Sequence, residues 1–254
     1  MNILVCLKQT FDTEEKIVLE NGKISEDGVE FIINPYDEYA VEEAIKLRDE
    51  HGGEVTVITV GPERAESALR TALAMGADKA VIVDSEDIEA DEYSVAKILA
   101  AVIKDREYDI ILGGNMAVDN GSGQVGPRLA EELNIAQVTT ITKLDVDGGK
   151  ATIERDVEGD VEVIEVSLPV LVTAQQGLNE PRYPSLPGIM KAKKKPMERL
   201  TIDDLNIDGD IAAKTTVVET FLPPKKEAGR ILSGDIQDQV KELVQLLRNE
   251  AKVI

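Results

Sequence analysis

Short apolar runs alternate with amphipathic stretches through the first half of this chain, and that alternation restricts the fold more than any other feature. Ile3-Leu4-Val5-Cys6-Leu7 is apolar without interruption, which suits a strand buried on both faces. Asn34-Pro35 opens a helix, with Asn at the N-cap and Pro at the first helical position. Ala40, Val41, Ala44, Ile45 and Leu47 recur with helical spacing, and Gly52 ends the helix. Residues 54–60 read as a strand closed by Gly61-Pro62. Ala65, Ala68, Leu69, Ala72 and Leu73 mark a helix that stops at Gly76, and residues 80–83 form a strand. Residues 91–106 form a helix with Val95, Ile98, Leu99, Val102 and Ile103 on one face, followed by strand 110–112 and helix 128–133. Strands alternating with helices predict a parallel sheet with right-handed crossovers.

Between that last strand and helix lies a glycine-rich loop, residues 113–127: Gly-Gly-Asn-Met-Ala-Val-Asp-Asn-Gly-Ser-Gly-Gln-Val-Gly-Pro. Glycine lets a ligand approach the main chain closely, and the free N–H groups at a helix start bind anions. Turn geometry alone also makes such loops glycine-rich. Gly121-Ser122-Gly123-Gln124-Val125-Gly126 matches G-x-G-x-x-G, but the dinucleotide fingerprint belongs directly after the first strand, so that assignment is rejected. No G-x-x-x-x-G-K-[ST] occurs. Ligands of open parallel sheets sit beyond the carboxyl ends of the strands. Segments 6–8, 34–37, 60–61 and the glycine loop all fall there, and their convergence predicts a nucleotide site.

A formal net charge of −21 opposes binding to nucleic acid or anionic membrane and permits docking on a basic surface. Cys6 is the single cysteine, so neither an intrachain disulfide nor a cysteine metal cluster is expected. His51 is the single histidine; it stands at a helix end, where it favourably meets the helix dipole. The first apolar run is too short for a signal peptide and no run is long enough to span a bilayer, so a protein of the cytoplasm, or of an organelle interior of similar redox state, is expected, with no membrane insertion.

Residues 8–13 read as a polar loop, Asn21-Gly22 as a type I′ hairpin turn, and residues 29–33 as a short strand. Beyond Asn134 the pattern becomes antiparallel. Residues 142–146 and 150–157 pair across Asp147-Gly148-Gly149, and residues 161–166 alternate Val and Glu. Residues 169–173 return to the core. Residues 174–196 carry Pro181, Pro184 and Pro187, which stiffen an extended segment, with a short helix over 189–195. Either Leu186, Ile189 and Met190 pack inward and the lysines are simply solvated, or the segment protrudes with Leu186 as an apolar anchor. Residues 214–222 read as a strand, and residues 235–249 as a terminal helix with Ile236, Val240, Leu243, Val244 and Leu247 on one face. Little core lies between residues 197 and 234, so this end of the chain needs another surface to lie on, such as another subunit.

Several blocks resemble the beta (small) subunits of electron-transferring flavoproteins. They are Ile153-Glu-Arg-Asp-Val-Glu-Gly, Leu168-Pro-Val-Leu-Val-Thr-Ala, and the long run from Leu178-Asn-Glu-Pro-Arg-Tyr through Pro-Ser-Leu-Pro-Gly-Ile-Met to Lys-Ala-Lys-Lys-Lys. Asn34-Pro-Tyr-Asp-Glu-Tyr-Ala and Arg70-Thr-Ala-Leu-Ala-Met-Gly-Ala-Asp-Lys are similar too. The resemblance implies an α/β fold: a parallel-sheet adenine-nucleotide-binding domain, Rossmann-like in the manner of universal-stress and ATP-pyrophosphatase proteins, with an antiparallel extension. Residues 1–196 make that domain and residues 197–254 a C-terminal arm on a larger alpha subunit. It implies an electron carrier and not a stand-alone enzyme. FAD is held mainly by the alpha subunit and AMP by this chain, with a second FAD in place of AMP in electron-bifurcating relatives. Electrons come from acyl-CoA and related dehydrogenases and leave to a quinone oxidoreductase. The implied AMP contacts are Cys6, Asn34, Pro35, Tyr36, Asp37, Val60, Gly114, Asn115, Met116, Ala117, Val118, Asp119, Asn120, Gly121, Ser122, Gly123, Gln124 and Val125. The implied recognition segment is 174–196, with Leu186 as anchor beside Tyr183, Pro184, Pro187, Ile189 and Met190. This chain departs from the family where Asp119-Asn120-Gly121 replaces a more acidic run, and Asn120-Gly-Ser-Gly-Gln stands where bifurcating members show Gly-Asp-Thr-Ala-Gln. A universal-stress regulator shares the α/β pattern but lacks the proline segment, and an ATP-pyrophosphatase is expected to carry a Ser-Gly-Gly-x-Asp-Ser-like loop after strand one, which Lys8-Gln-Thr-Phe-Asp does not supply.

Overall fold

The computed structural model describes residues 1–207, 209–226 and 228–254. They divide into two compact units, Met1–Val18 with Ser25–Val218, and Leu19–Ile24 with Glu219–Ile254. In chain order the strands and helices are β1 (Asn2–Cys6), β2 (Gln9–Phe11), β3 (Leu19–Glu20), β4 (Lys23–Ile24), β5 (Phe31–Ile33), α1 (Pro35–His51) and β6 (Glu54–Gly61). Then come α2 (Glu66–Met75), β7 (Lys79–Asp84), α3 (Glu92–Ile103), β8 (Ile110–Gly114), α4 (Val125–Leu133), β9 (Ala136–Asp147), β10 (Lys150–Val157), β11 (Asp160–Ser167) and β12 (Val170–Ala174). α5 (Leu186–Ala192), β13 (Met197–Thr201) and α6 (Ile236–Gln245) complete the list.

In the first unit nine strands form one sheet, ordered β11-β10-β9-β12-β8-β1-β6-β7-β13. It is parallel from β9 through to β13, and β9, β10 and β11 pair antiparallel. β1 shows why the apolar run had to be continuous. Ile3 and Val5 join α1 and α2 in one hydrophobic cluster, while Leu4 joins α3 and α4 in another. Both faces of the strand are therefore covered, and each fully buried aliphatic side chain adds about 1.5–3 kcal/mol. The chain runs from β1 to β6 and β7 on one side and then crosses to β8 on the other, so the strand order reverses at β1.

Several local expectations need correction. Residues 8–13 are not simply a loop: β2 pairs antiparallel with β5 in a small sheet, with Phe11 edge-on to Phe31. Residues 214–222 form no strand. Val217 and Val218 have the β-branched composition, but strand propensity needs a sheet edge to pair with, and these side chains are exposed. The edge beside β7 is taken instead by β13, Met-Glu-Arg-Leu-Thr, whose charges hid it; edge strands tolerate charge well. The short helix starts earlier than residue 189, at Leu186, because the Ser185 hydroxyl caps it through the Gly188 N–H at 3.1 Å.

α5 lies against α2. A Cβ on Gly188 would collide with the Ala74 carbonyl, so glycine permits this approach. Arg70 donates to the Ala192 carbonyl at 2.8 Å. Lys195 is not merely solvated: its ammonium donates to the carbonyls of Leu73 (2.9 Å) and Ala77 (2.6 Å), where the C-terminus of α2 has carbonyls left over.

In the second unit Asn21 and Gly22 take positive φ, 53° and 77°, in the hairpin that joins β3 and β4, as the Asn-Gly pair predicted. α6 is capped by Asp235, and Leu246–Glu250 continue it as a π-helical turn. Its row Ile236, Val240, Leu243 and Val244 is exposed.

Lys195→Ala should lower the unfolding free energy by about 1–2 kcal/mol, the range for losing hydrogen bonds from a charged group to buried acceptors. Urea unfolding beside Lys194→Ala, expected within about 0.5 kcal/mol of wild type, checks this. Equal effects would mean Lys195 caps nothing.

Candidate functional site

A cavity of about 570 Å³ opens at the carboxyl ends of the strands around β1, where the strand order reverses. Of the predicted site residues, Cys6, Asn34, Asp37, Val60, Gly114, Asn115, Met116, Ala117, Asn120, Ser122, Gly123, Gln124 and Val125 line it. Pro35, Tyr36, Val118, Asp119 and Gly121 do not. Pro35 opens α1. A Cβ on Gly114 would stand 2.7 Å from the Tyr36 Cβ, so Tyr36 sets how closely β8 approaches α1. Asp119 pairs with Lys8 at 2.6 Å.

The N-terminus of α1 ties the loops together. Asn34 stands at the N-cap, as expected, but its side chain makes no capping bond. Its Nδ2 donates to the Met116 carbonyl at 2.9 Å, and its Oδ1 accepts from the Val118 N–H at 3.1 Å. The amide thus mimics a strand neighbour for the glycine loop. The Asp37 carboxylate accepts the Lys8 N–H at 2.6 Å and the Gly114 N–H at 2.8 Å, joining the loops after β1 and β8. Burial pushes the Asp37 carboxyl up to about 7, against those donors and the Lys8 charge. Burial, and then the neighbouring Asp37 charge, push the Cys6 thiol up to about 12. It therefore stays protonated at neutral pH and serves as wall, not nucleophile.

The glycine loop presents backbone to the cavity. The Gly121 N–H closes a turn on the Ala117 carbonyl, and the Asn120 Oδ1 accepts the Ser122 N–H at 3.2 Å. The Gln124 side chain at the N-cap does not cap α4, so the first N–H groups of the helix are suited to an anion. The Gln124 Oε1 holds Arg128 at 2.8 Å. The Asn115 Oδ1 is buried and has no partner among the described residues, a position that native proteins seldom leave unfilled.

Sequence reasoning missed one wall. Ser85, Ile88, Ala90, Asp91 and Glu92 follow β7, and Thr215 and Val217 come from the segment after β13. The loop after β7 also lies at a carboxyl end, so the rule that found the other four segments would have found it. Asp91 Oδ1 caps α3 by accepting the Tyr93 and Ser94 N–H groups, each at 3.0 Å. Against the desolvation that would raise it, the N–H groups of Ser94, Lys214 and Thr215 hold the Asp91 carboxyl well below the usual carboxylate range.

Residues 174–196 are fastened to the middle of α1. Arg182 forks onto the buried Glu42 at 2.8 and 2.9 Å, and Asn179 donates to the buried Glu43 at 2.8 Å. Beyond these ties Tyr183 (94%), Leu186 (79%) and Met190 (73%) stand exposed, and Ile189 is exposed as well. Pro187 occupies the first turn of α5, and Pro184 precedes its cap. The arrangement is an apolar knob on a fixed stem, so the inward-packing alternative does not hold for Leu186 or Met190.

Because the Asp37 carboxyl keeps its proton to higher pH folded than unfolded, its share of stability falls as pH rises from about 4 to about 7. Relative to Asp37→Asn, wild type should lose about 3 kcal/mol across that window. Unfolding free energies of both proteins at pH 4, 5.5 and 7 test this; a difference that grows in favour of wild type would show that the N–H donors outweigh burial.

The electron transfer flavoprotein domain model matches residues 21–205. The electron transfer flavoprotein subunit beta of Bacillus subtilis is 64% identical, with all of both chains covered. Those of Syntrophomonas wolfei and Thermoanaerobacterium thermosaccharolyticum are 44% and 46% identical, covering 100% and 98% of this chain and 98% of each relative. The blocks that carry the resemblance, the parallel sheet and the full-length similarity agree, and the chain belongs to the beta subunits of the electron transfer flavoproteins.

Proposed function

We propose that this chain holds an adenylate, AMP, at the reversal point of its sheet while an alpha-subunit partner carries the working FAD. The observation that carries this reading is the convergence of the loops after β1, β6, β7 and β8 on one cavity, where a buried Asn115 oxygen lacks a donor. The residues suit an adenine mononucleotide. The Asn115 oxygen can accept from an amino or hydroxyl group, Cys6 and Val60 supply apolar wall, and Asp37 is placed as a further acceptor. The glycine-loop N–H groups, the open start of α4 and the Lys8 ammonium at the rim suit a phosphate. A flavin, when bound, supplies the one-electron chemistry, and the protein contributes binding, orientation and electrostatics.

Residues 197–254, after lending β13 to the sheet, supply the arm that packs on the alpha subunit. The exposed apolar row of α6 supports this, since a stripe of that kind is normally covered. The knob led by Leu186 docks the donor, an acyl-CoA or related dehydrogenase, and a quinone oxidoreductase takes the electrons onward, in the cytoplasm. The chain is thus a carrier subunit and not a catalyst by itself. No helix among the described residues is long and apolar enough to cross a membrane.

Chromatography of acid-released nucleotides from the co-expressed heterodimer should give one FAD and one AMP. Two FAD would move the reading to the electron-bifurcating type, and no adenine nucleotide beyond one FAD would sink the adenylate site. Leu186→Ala should raise the KM for the dehydrogenase about tenfold or more, as truncated anchors do, with flavin content unchanged. An unaltered KM would remove the anchor role.

A further inference from the structure

The cavity wall that comes from residues 210–217 is unlike the others. The others are strand ends, helix starts and the short loops that join them, each tied to the sheet on both sides. This one is a segment without regular structure that buries little apolar surface: Ile211 and Ala213 are half-buried, and Val217 is 82% exposed although it borders the cavity. Polar contacts hold it instead. Asp91 Oδ2 accepts the Lys214 N–H at 2.7 Å, the Thr215 N–H at 2.9 Å and the Thr215 hydroxyl at 3.1 Å. The Tyr93 hydroxyl donates to the Asp210 carbonyl at 3.2 Å, and the Lys214 ammonium lies 4.9 Å from the centre of the Tyr93 ring. Lys214 also pairs with Asp210 at 2.7 Å, closing the turn on itself.

One carboxylate therefore serves two structures. Its Oδ1 caps α3, and its Oδ2 fastens the segment. The geometry points to residues 210–217 as a strap that closes the nucleotide cavity, with Asp91 as its clasp and Thr215 as the residue the clasp grips. This rests on the adenylate reading of the cavity. The strap sets how long a bound nucleotide stays, because a segment with little buried surface opens as soon as its polar points are released. Asp91, Thr215 and Val217 thus belong to the nucleotide site as positioning residues, although they share no sequence motif with the glycine loop. The chain continues from Val218 directly into the second unit, so the strap is also the last stretch of the first.

The two roles of Asp91 are separable. Ser caps a helix about as well as Asp but has a single oxygen on a shorter side chain. Asp91→Ser should keep the cap and lose the clasp. The heterodimer, loaded with radiolabelled AMP and chased with unlabelled AMP, should release label about tenfold faster or more in Asp91→Ser. Thr215→Val, which loses only the hydroxyl, should speed release a few-fold. Hydrogen exchange of the Tyr93 and Ser94 amides should remain as slow as in wild type, while exchange at Lys214 and Thr215 accelerates. Release at the wild-type rate with the α3 amides protected and the strap amides exposed would overturn the strap. If Asp91→Ser fails to fold, Thr215→Val decides alone, and an unchanged rate there overturns the proposal. A wild-type heterodimer that neither carries nor takes up an adenine mononucleotide overturns the cavity reading, and that outcome is distinct from an adenylate held equally long by all three proteins.

Discussion

The loops at the carboxyl ends of a parallel sheet have no neighbouring strand, yet here their backbone groups are drawn inside. Something must satisfy those groups, because a buried unpaired N–H costs about 1–3 kcal/mol. In this chain that task falls on two side chains at the start of α1. Asn34 pairs with the backbone of Met116 and Val118, and Asp37 with that of Lys8 and Gly114. These bonds join the loops after β1 and β8 to the start of α1 and so fix the shape of the cavity. An apolar residue at either place would collapse the loops or leave them unpaired.

The same helix explains the acids that hydrophobic pattern alone would place at the surface. Glu42 and Glu43 are buried on α1, and each finds a partner in the segment that leads to α5. A buried carboxylate is costly unless paired and hydrogen-bonded, so these two fix where Asn179 and Arg182 sit. The run Asn-Glu-Pro-Arg is specific for that reason: its side chains have designated acceptors on α1, while the apolar knob that follows is left free for something else. α1 therefore organises the cavity with its first turn and the presented surface with its middle.

What was legible in the sequence follows from how many residues carry each signal. The parallel core could be read because β1, β6, β7 and β8 each repeat the apolar pattern, and the glycine loop because a backbone approach needs glycine in several places at once. Asn34 was legible as a site residue and as the N-cap of α1, but the use of its amide was not, since Asn before Pro signals a helix start whether or not the side chain turns to the glycine loop. β13 was hidden because an edge strand needs little apolar content, and residues 214–222 misled because β-branched residues describe a preference and not a partner. Lys195 could not be separated from Lys191, Lys193 and Lys194 by sequence. Only the position of the α2 carboxyl end decides which lysine turns in.

The ways in which the walls are held differ in strength, and the difference has a physical order. The strands are held by apolar burial on both faces, which only global unfolding undoes. The glycine loop is held by buried side-chain bonds, each modest in net value but costly to leave unmade. Residues 210–217 are held by one half-buried carboxylate and one aromatic ring, with few apolar contacts beneath them. A site assembled this way has a rigid floor and firm sides, and a single wall that can yield without disturbing the rest. Under the adenylate reading, exchange of a nucleotide through the one loosely held wall is compatible with a core that stays closed.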